Sequence, residues 1–361
     1  MIVDSHAHIF PPMGGASGHL SVAEHMRYVQ HTIMTHHQPT RRVSDNVPIT
    51  AQTLFDGQDV ALDAMYEVDF RSGGYGKFVW TYDGVHYLKQ YFPPHMRDLE
   101  STAEFLIAQM DYVGIDRAVI QSGHLYGRLN EYIAASVQRY PSRFWGLALL
   151  DEWKVDDPAE IRSLDSAISD LGLHALWFNT GSLEMHRRHI PVDDPAFFPF
   201  WERVRSLGIP VFWNVTSAVP GQESYLSQLA AFWRWLQIYP DIPCVLTHGL
   251  SLARFMNGGK VSVPDAAWQA IDAPNLICEL LFPIFQGAVF DYPFHELRPV
   301  IREYYERLGP DRLCWGSDMP NVERHATYRQ SLTYLRDYSD FIPRDQMGKI
   351  LGGNIATLFD E

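Results

Sequence analysis

Eight short apolar runs recur along this chain, and the regular distance between them leaves few folds open. The runs are Ile2–Phe10, Ala118–Gly123, Phe144–Leu150, Ala175–Asn179, Pro210–Val215, Cys244–Gly249, Leu276–Leu281 and Leu313–Asp318. Counted between first residues, the spacings from Ala118 onward are 26, 31, 35, 34, 32 and 37. A strand with its crossover helix takes about thirty residues, so the beat predicts parallel βα units. The runs are mostly continuous in apolar residues rather than alternating, as strands buried on both faces are. Eight of them suit a closed (β/α)8 TIM barrel better than an open sheet. Between the runs, Ser101-Thr102-Ala103-Glu104 opens a helix with a capping-box pattern. Ser163–Leu171 and Ala196–Leu207 carry apolar residues at helical spacing, and Asp345–Phe359 reads as a closing helix.

One interval breaks the beat. More than a hundred residues separate the first two runs, where about thirty would do. The surplus, 11–98, is rich in His, Gly, Pro and Tyr. Within it, Phe78-Val79-Trp80-Thr81-Tyr82 and Val85-His86-Tyr87-Leu88 flank Asp83-Gly84. That pair supplies the positive φ angles of a two-residue hairpin turn. An insertion leaving the carboxyl end of the first strand falls on the catalytic face of a barrel, as a lid or pocket wall. The expected organisation is one domain over 1–361, with the insertion at about 11–98 covering that face.

The formal net charge is −14. It argues against nucleic acid or an anionic membrane surface as a partner, and obliges any anionic substrate to find a local basic pocket. No apolar run approaches the ~20 residues that cross a bilayer. The start of the chain shows no charged segment with a cleavage site. Cys244, Cys278 and Cys314 each sit inside an apolar run, as small buried hydrophobes in a reducing compartment do. A cytoplasmic soluble enzyme is the expectation, and a homo-oligomer is compatible with it.

In a barrel the chemistry sits where strands end. His6 and His8 lie two apart on the first run, and strand residues at that spacing share a face. A lone His-x-His pair is as readily an exposed strand end. The other runs add to it: His124 follows Gly123, Asn179 and Asn214 end the fourth and fifth strands, and His248 ends the sixth. Glu279 lies within the seventh and Asp318 ends the eighth. His6, His8, His248 and Asp318 on one rim make a metal or acid–base constellation. Arg128 and Arg254 fall in loops on the same face and could clamp a carboxylate, the plain alternative being solvated surface. Trp177, Phe178 and Trp213 suit the barrel core, although a strand-end ring can also stack on a flat substrate. His36-His37 with Arg41-Arg42 has the look of an anion-binding cluster, and a solvated loop is its plainer reading.

His6-Ala7-His8, Val245-Leu246-Thr247-His248-Gly249 and Trp315-Gly316-Ser317-Asp318-Met319-Pro320 resemble motifs of the amidohydrolase superfamily. The similar branch is the one named for aminocarboxymuconate-semialdehyde decarboxylase, which also holds benzoate-type decarboxylases, a hydratase and lactonases. Arg139-Tyr140-Pro141-Ser142-Arg143-Phe144 followed by Gly146 is similar to the same branch's lead into strand three. The resemblance covers the eight strands and leaves out 11–98. It implies that His6, His8 and Asp318 hold a divalent metal, zinc or manganese, and that His248 moves protons beside it, with Asp318 also catalytic. Neutral imidazoles and a carboxylate suit zinc, which polarises a substrate oxygen or acidifies a bound water.

One position departs from the family. Strand five usually ends on a third metal-binding histidine, whereas this chain reads Pro210-Val211-Phe212-Trp213-Asn214. An amide oxygen is a poor zinc ligand. Either His124 or Glu279 completes the set, or metal is absent, as in related lactonases that work without one. Asn214, Arg128, Arg254, His124 and Trp177 are the expected substrate contacts. The implied reaction is non-oxidative decarboxylation of a small unsaturated or aromatic acid. Hydrolysis of a lactone, ester or amide is the alternative, and an inactive binding barrel a third.

Overall fold

Neighbouring residues in the apolar runs face opposite ways, and both directions are buried. Val3, Val119, Trp145, Trp177, Phe212, Val245 and Cys314 pack together in one interior cluster. Their neighbours Ala118, Phe144, Leu176, Trp213, Leu246 and Leu313 belong to a second, outer cluster shared with the helices. Burial on both sides is the reason the runs look continuous in sequence.

The computed structural model describes residues 1–359. β1 (Val3–Ala7) is followed by five strands of the insertion: β2 (Thr40–Arg42), β3 (Pro48–Ile49), β4 (Arg71–Gly74), β5 (Lys77–Tyr82) and β6 (Val85–Gln90). The chain then gives β7 (Arg117–Ile120), β8 (Phe144–Leu149), β9 (Ala175–Asn179), β10 (Val211–Asn214) and β11 (Cys244–Leu246). A small hairpin, β12 (Met256–Asn257) and β13 (Lys260–Val261), precedes β14 (Leu276–Leu280) and β15 (Leu313–Trp315). The parallel sheet runs β1-β7-β8-β9-β10-β11-β14-β15, with helices on its outside. This is the expected (β/α)8 barrel.

The seam between the last strand and the first closes beyond β15. The Asp318 N–H donates to the His6 carbonyl and the His8 N–H to the Met319 carbonyl, each at 2.8 Å. Asp4 stitches the same seam from the buried side. Its carboxylate accepts from the Ser317 hydroxyl (2.5 Å), the Tyr328 hydroxyl (2.7 Å) and the Ser317 N–H (2.9 Å). Burial lifts its pKa to about 6, against the pull of these bonds. Asp4→Ala orphans the buried Tyr328 hydroxyl and the Ser317 N–H and leaves the Ser317 hydroxyl only the His6 carbonyl at 3.3 Å. At about 1–3 kcal/mol per orphaned group, unfolding free energy should fall by about 3 kcal/mol. A denaturant melt measures this, and a wild-type midpoint would show that the seam is held elsewhere.

The insertion folds as a helix, Val22–Met34, capped by the Ser21 hydroxyl, and an antiparallel sheet in the order β3-β2-β6-β5-β4. Tyr82 pairs with Val85 across the turn, where Asp83 (φ 49°) and Gly84 (φ 74°) take the left-handed angles expected of them. Several of its contacts with the barrel are with loops that follow strands, while His95 packs on Phe105 of the helix Ala103–Val113. His25 bonds the Leu125 carbonyl (2.9 Å) and Tyr28 packs on His124, both after β7. Asp59 and Asp63 pair with Arg187 after β9, and His36 meets Arg324 after β15.

One helix start differs from expectation. Thr102, not Ser101, caps Ala103–Val113 by accepting from the Phe105 N–H. Ser101 is taken by the segment that follows β1, because it bridges Phe10 through its backbone and its hydroxyl donates to the His8 carbonyl (3.0 Å). The three cysteines are buried free thiols. Among the described residues no helix is long and apolar enough to cross a membrane.

Candidate metal centre

A register shift in β1 between Asp4 and Ala7 decides what the strand presents inward. It lets two consecutive side chains, Ser5 and His6, reach the same carboxylate, Glu279 of β14. His8 then follows on the face of His6. With Asp318 beyond β15 they bring three donor atoms within 4.8 Å of one another, all on buried residues.

The tautomers follow from the partners. The Gln121 carbonyl lies 2.9 Å from His8 Nδ1 and can only accept, so that nitrogen carries the proton. His6 Nδ1 faces the Glu279 carboxylate at 3.0 Å and carries its proton likewise. Both Nε2 atoms therefore offer lone pairs, 3.1 Å apart. Asp318 Oδ1 adds a third acceptor, 2.9 Å from His8 Nε2 and 3.9 Å from His6 Nε2. Three acceptors facing one another repel unless a cation lies between them. A proton serves the same end, disfavoured on His8 by burial but favoured on His6 by Glu279, so that ion and proton compete for one place. Imidazoles anchored through Nδ1 to a carbonyl and a carboxylate are what a metal site requires. The residues fit a divalent ion.

Electrostatics favour the same state. Burial alone would raise the Asp318 carboxyl, yet the His8 ring against it and the neighbouring histidines hold it well below the usual carboxylate range. Burial opposes charge on His6, but Glu279 and the other carboxylates outweigh it and raise its pKa. Glu279 is fully buried, and His6 keeps it ionised against that burial.

Glu279 is the post on which the site is hung. One oxygen takes the Ser5 hydroxyl (2.5 Å), and the other takes His6 Nδ1 and the His248 N–H (2.7 Å). Its room comes from Gly316, where a Cβ would sit 2.6 Å from the carboxylate and 2.8 Å from the Ser5 hydroxyl. His248 and Asp318 both hold left-handed backbone, at φ 63° and 60°. That conformation is costly for most residues and gathers at functional positions.

His248 lies over the three donors, its ring centre 4.7 Å from that of His6 and its Nε2 4.0 Å from Asp318 Oδ2. Its side chain is 20% exposed, against 7% or less for the three donors. Burial and the charge of His6 push its pKa down to about 4. Asn214 faces it, with Oδ1 3.3 Å from His248 Nδ1. The amide at the departing position thus meets the catalytic candidate rather than the metal donors.

The other expected residues lie elsewhere. Glu279 supports His6 instead of joining the donor set, and His124 Nε2 binds the buried Glu152 carboxylate at 2.9 Å. Arg128 ion-pairs with Asp151 at 2.6 Å, and Arg254 donates to the Gly221 and Ser217 carbonyls. Trp177 belongs to the interior cluster of the barrel. Among the described residues no hydrogen bond or ion pair joins any of these four to the three donors. Arg41 and Arg42 bond the Asn46 carbonyl and Asp45, away from His36.

Two contributors had no sequence signal beyond proximity to a motif. Asn321 donates its amide to Asp318 Oδ1 (2.8 Å) and to the Tyr126 oxygen (2.6 Å), and the Tyr126 ring packs 4.4 Å from that of His8. Asn321 follows Asp318 by one turn, the only hint available.

A family model described as Amidohydrolase matches residues 3–360. A gamma-resorcylate decarboxylase from Polaromonas sp. is 30% identical over 96 residues, 26% of this chain and 28% of that protein. A 2-keto-4-carboxy-3-hexenedioate hydratase from Sphingobium sp. is 25% identical over 207 residues, 54% of this chain and 58% of that protein. The chain thus spans less than two thirds of either curated relative. A dihydroxybenzoic acid decarboxylase structure from Polaromonas sp., with bound manganese and the inhibitor 2-nitroresorcinol, aligns with a TM-score of 0.54 and 17% identity. That alignment covers 72% of this chain and 86% of the other, and it shows a shared fold.

Proposed function

The chain belongs to the amidohydrolase family, and from that premise we propose that it is a metal-dependent lyase that removes carbon dioxide from a small unsaturated or aromatic carboxylic acid. The observation that carries the reading is the meeting of three buried donors beneath His248. The partial similarity to a resorcylate decarboxylase supports the choice of reaction. In this reading His6, His8 and Asp318 hold a divalent ion, manganese or zinc, which polarises a substrate oxygen.

The protein's own groups do the rest. Glu279 fixes the His6 tautomer, and Asn214 accepts from His248 Nδ1 so that Nε2 holds the lone pair that takes up a proton. His248 Nε2 takes a proton from water. As the carbon–carbon bond breaks, carbon dioxide leaves, the bonding electron pair stays on the substrate carbon, and His248 passes that proton to the carbon and returns to the neutral ring. The insertion at 11–98 acts as the lid, its contacts with the loops after β7, β9 and β15 supporting that role. Three buried thiols suit a cytoplasmic setting.

A second reading is addition of water or hydrolysis by the same centre. It is favoured by the longer match to a hydratase, 54% of the chain against 26% for the decarboxylase. A binding barrel without activity is less well served, because nothing in binding alone calls for the converging donors. The deciding experiment is metal analysis of purified protein, with carbon dioxide release from hydroxybenzoates and lactone opening assayed before and after chelation. Release that stops on chelation and returns with manganese or zinc is expected. Full activity in metal-stripped protein would sink the reading.

A further inference from the structure

With a net charge of −14, this protein must offer an anionic substrate a local excess of positive charge. Such an excess lies where the insertion meets the turn after Asp318. Arg324 donates through Nε to the Asn321 carbonyl (3.0 Å) and through Nη1 to His36 Nε2 (2.7 Å). Its guanidinium also packs 5.0 Å from the centre of the Tyr91 ring. The His36 and His37 rings are 4.2 Å apart, and His37 lies 5.4 Å from His325. The buried Lys89 ammonium donates to the carbonyl of His36 itself (2.9 Å) and to that of Ile33 (2.8 Å).

What the cluster lacks is an anion. Among the described residues neither Arg324 nor Lys89 has a carboxylate partner, and the adjacent Glu323 turns to His95 at 3.1 Å. Arg128 and Arg187, by contrast, are neutralised by Asp151 and by Asp59 with Asp63. Burial and the charge of Arg324 push His325 down to about 4 and lower His36 and His37 as well. The imidazoles are therefore neutral hydrogen-bonding groups around the Arg324 guanidinium, with the Lys89 amine, its pKa lowered to about 8 by burial, on the carbonyl of His36. His325 Nε2 is buried without a hydrogen-bond partner. The site is tied to the metal donors through one residue, because Asn321 holds Arg324 by its carbonyl and Asp318 by its amide.

We propose that Arg324, with His37 and His325, forms a subsite for an organic carboxylate. Resting on the lyase reading, this makes the substrate a dicarboxylic acid that loses one carboxylate at the metal donors and keeps the other against Arg324. The same chemistry would also hold a separate small carboxylate, and the test distinguishes the two.

The probes are benzoate and benzene-1,3-dicarboxylate, titrated calorimetrically into metal-loaded wild type, Arg324→Gln and Arg324→Lys. A charge-assisted contact is worth about 1.5–3 kcal/mol, so wild type should prefer the diacid by about 10–100-fold. Arg324→Gln should erase the preference and Arg324→Lys keep part of it, with melting midpoints unchanged. Acetate binding to benzoate-saturated wild type, lost in Arg324→Gln, would identify the ligand as a second molecule. A diacid preference with no such acetate binding assigns the subsite to the substrate's own second carboxylate. Absence of the preference in wild type, including failure to bind either probe, or a preference that survives Arg324→Gln, overturns the proposal. Because binding is the readout, a protein that decarboxylates nothing still tests the subsite, and that outcome counts against the lyase reading alone.

Discussion

His248→Ala is expected to lower turnover by about 10²–10⁴-fold, the usual size of a general acid–base contribution, while metal content stays at the wild-type level. The separation is possible because His248 contributes two different groups. Its backbone N–H goes to Glu279, which supports His6, and that bond survives the substitution. Only the ring, over the three donors and against Asn214, is lost. Alanine at φ 63° adds roughly 1 kcal/mol of backbone strain. His248→Asn is therefore the companion variant, since asparagine tolerates left-handed backbone better. Turnover near wild type in both variants would remove His248 from the reaction.

Glu279→Gln should weaken metal binding by about 10–100-fold, as loss of the group that orients a ligating histidine does. The amide can still fill the space beside Gly316, so the fold is kept while the charge goes. Without that charge nothing obliges His6 to carry its proton on Nδ1, and its Nε2 lone pair is no longer secured. Turnover should fall with metal occupancy and recover in part at high metal concentration, a rescue that His248→Ala would not show. Metal titration followed by activity at saturating ion separates the two variants. An unchanged metal affinity would mean that the His6 tautomer is held by some other group.

The barrel was legible because its strands are apolar on both faces, and the runs overshot the true strand ends for a related reason. Residues past the last ladder bond, such as Ser317 and Asp318, are still buried, so composition does not mark where pairing stops. In the insertion only the hairpin at Asp83-Gly84 announced itself. β2, β3 and β4 are two to four residues long and partly exposed, with partners set by the fold. His6, His8 and Asp318 could be grouped from period and strand position. The place of Glu279 could not, because an inward carboxylate in mid-strand says nothing about which polar neighbour it will meet. Arg128 and Arg254 show the same gap, since a loop position does not name Asp151 or two carbonyls as the partner. Arg324 passed unnoticed because only the folded chain sets residue 36 beside it.

The closure of the seam has a consequence for how the protein is made. Two of the three converging donors, His6 and His8, lie at the first barrel strand, and the third, Asp318, follows more than three hundred residues later in the chain. Throughout most of synthesis His6 and His8 are exposed on a strand whose neighbour on one side does not yet exist. A growing chain can hold an ion there only weakly, through two imidazoles, and any such ion can leave or be exchanged. Once the Ser317–Asp318 segment docks on β1, the last barrel strand and the last donor arrive together. On the proposed reading, retention of a metal would therefore require the seam to be closed, and a chain stopped before residue 318 would lack both the last donor and the segment that seals β1.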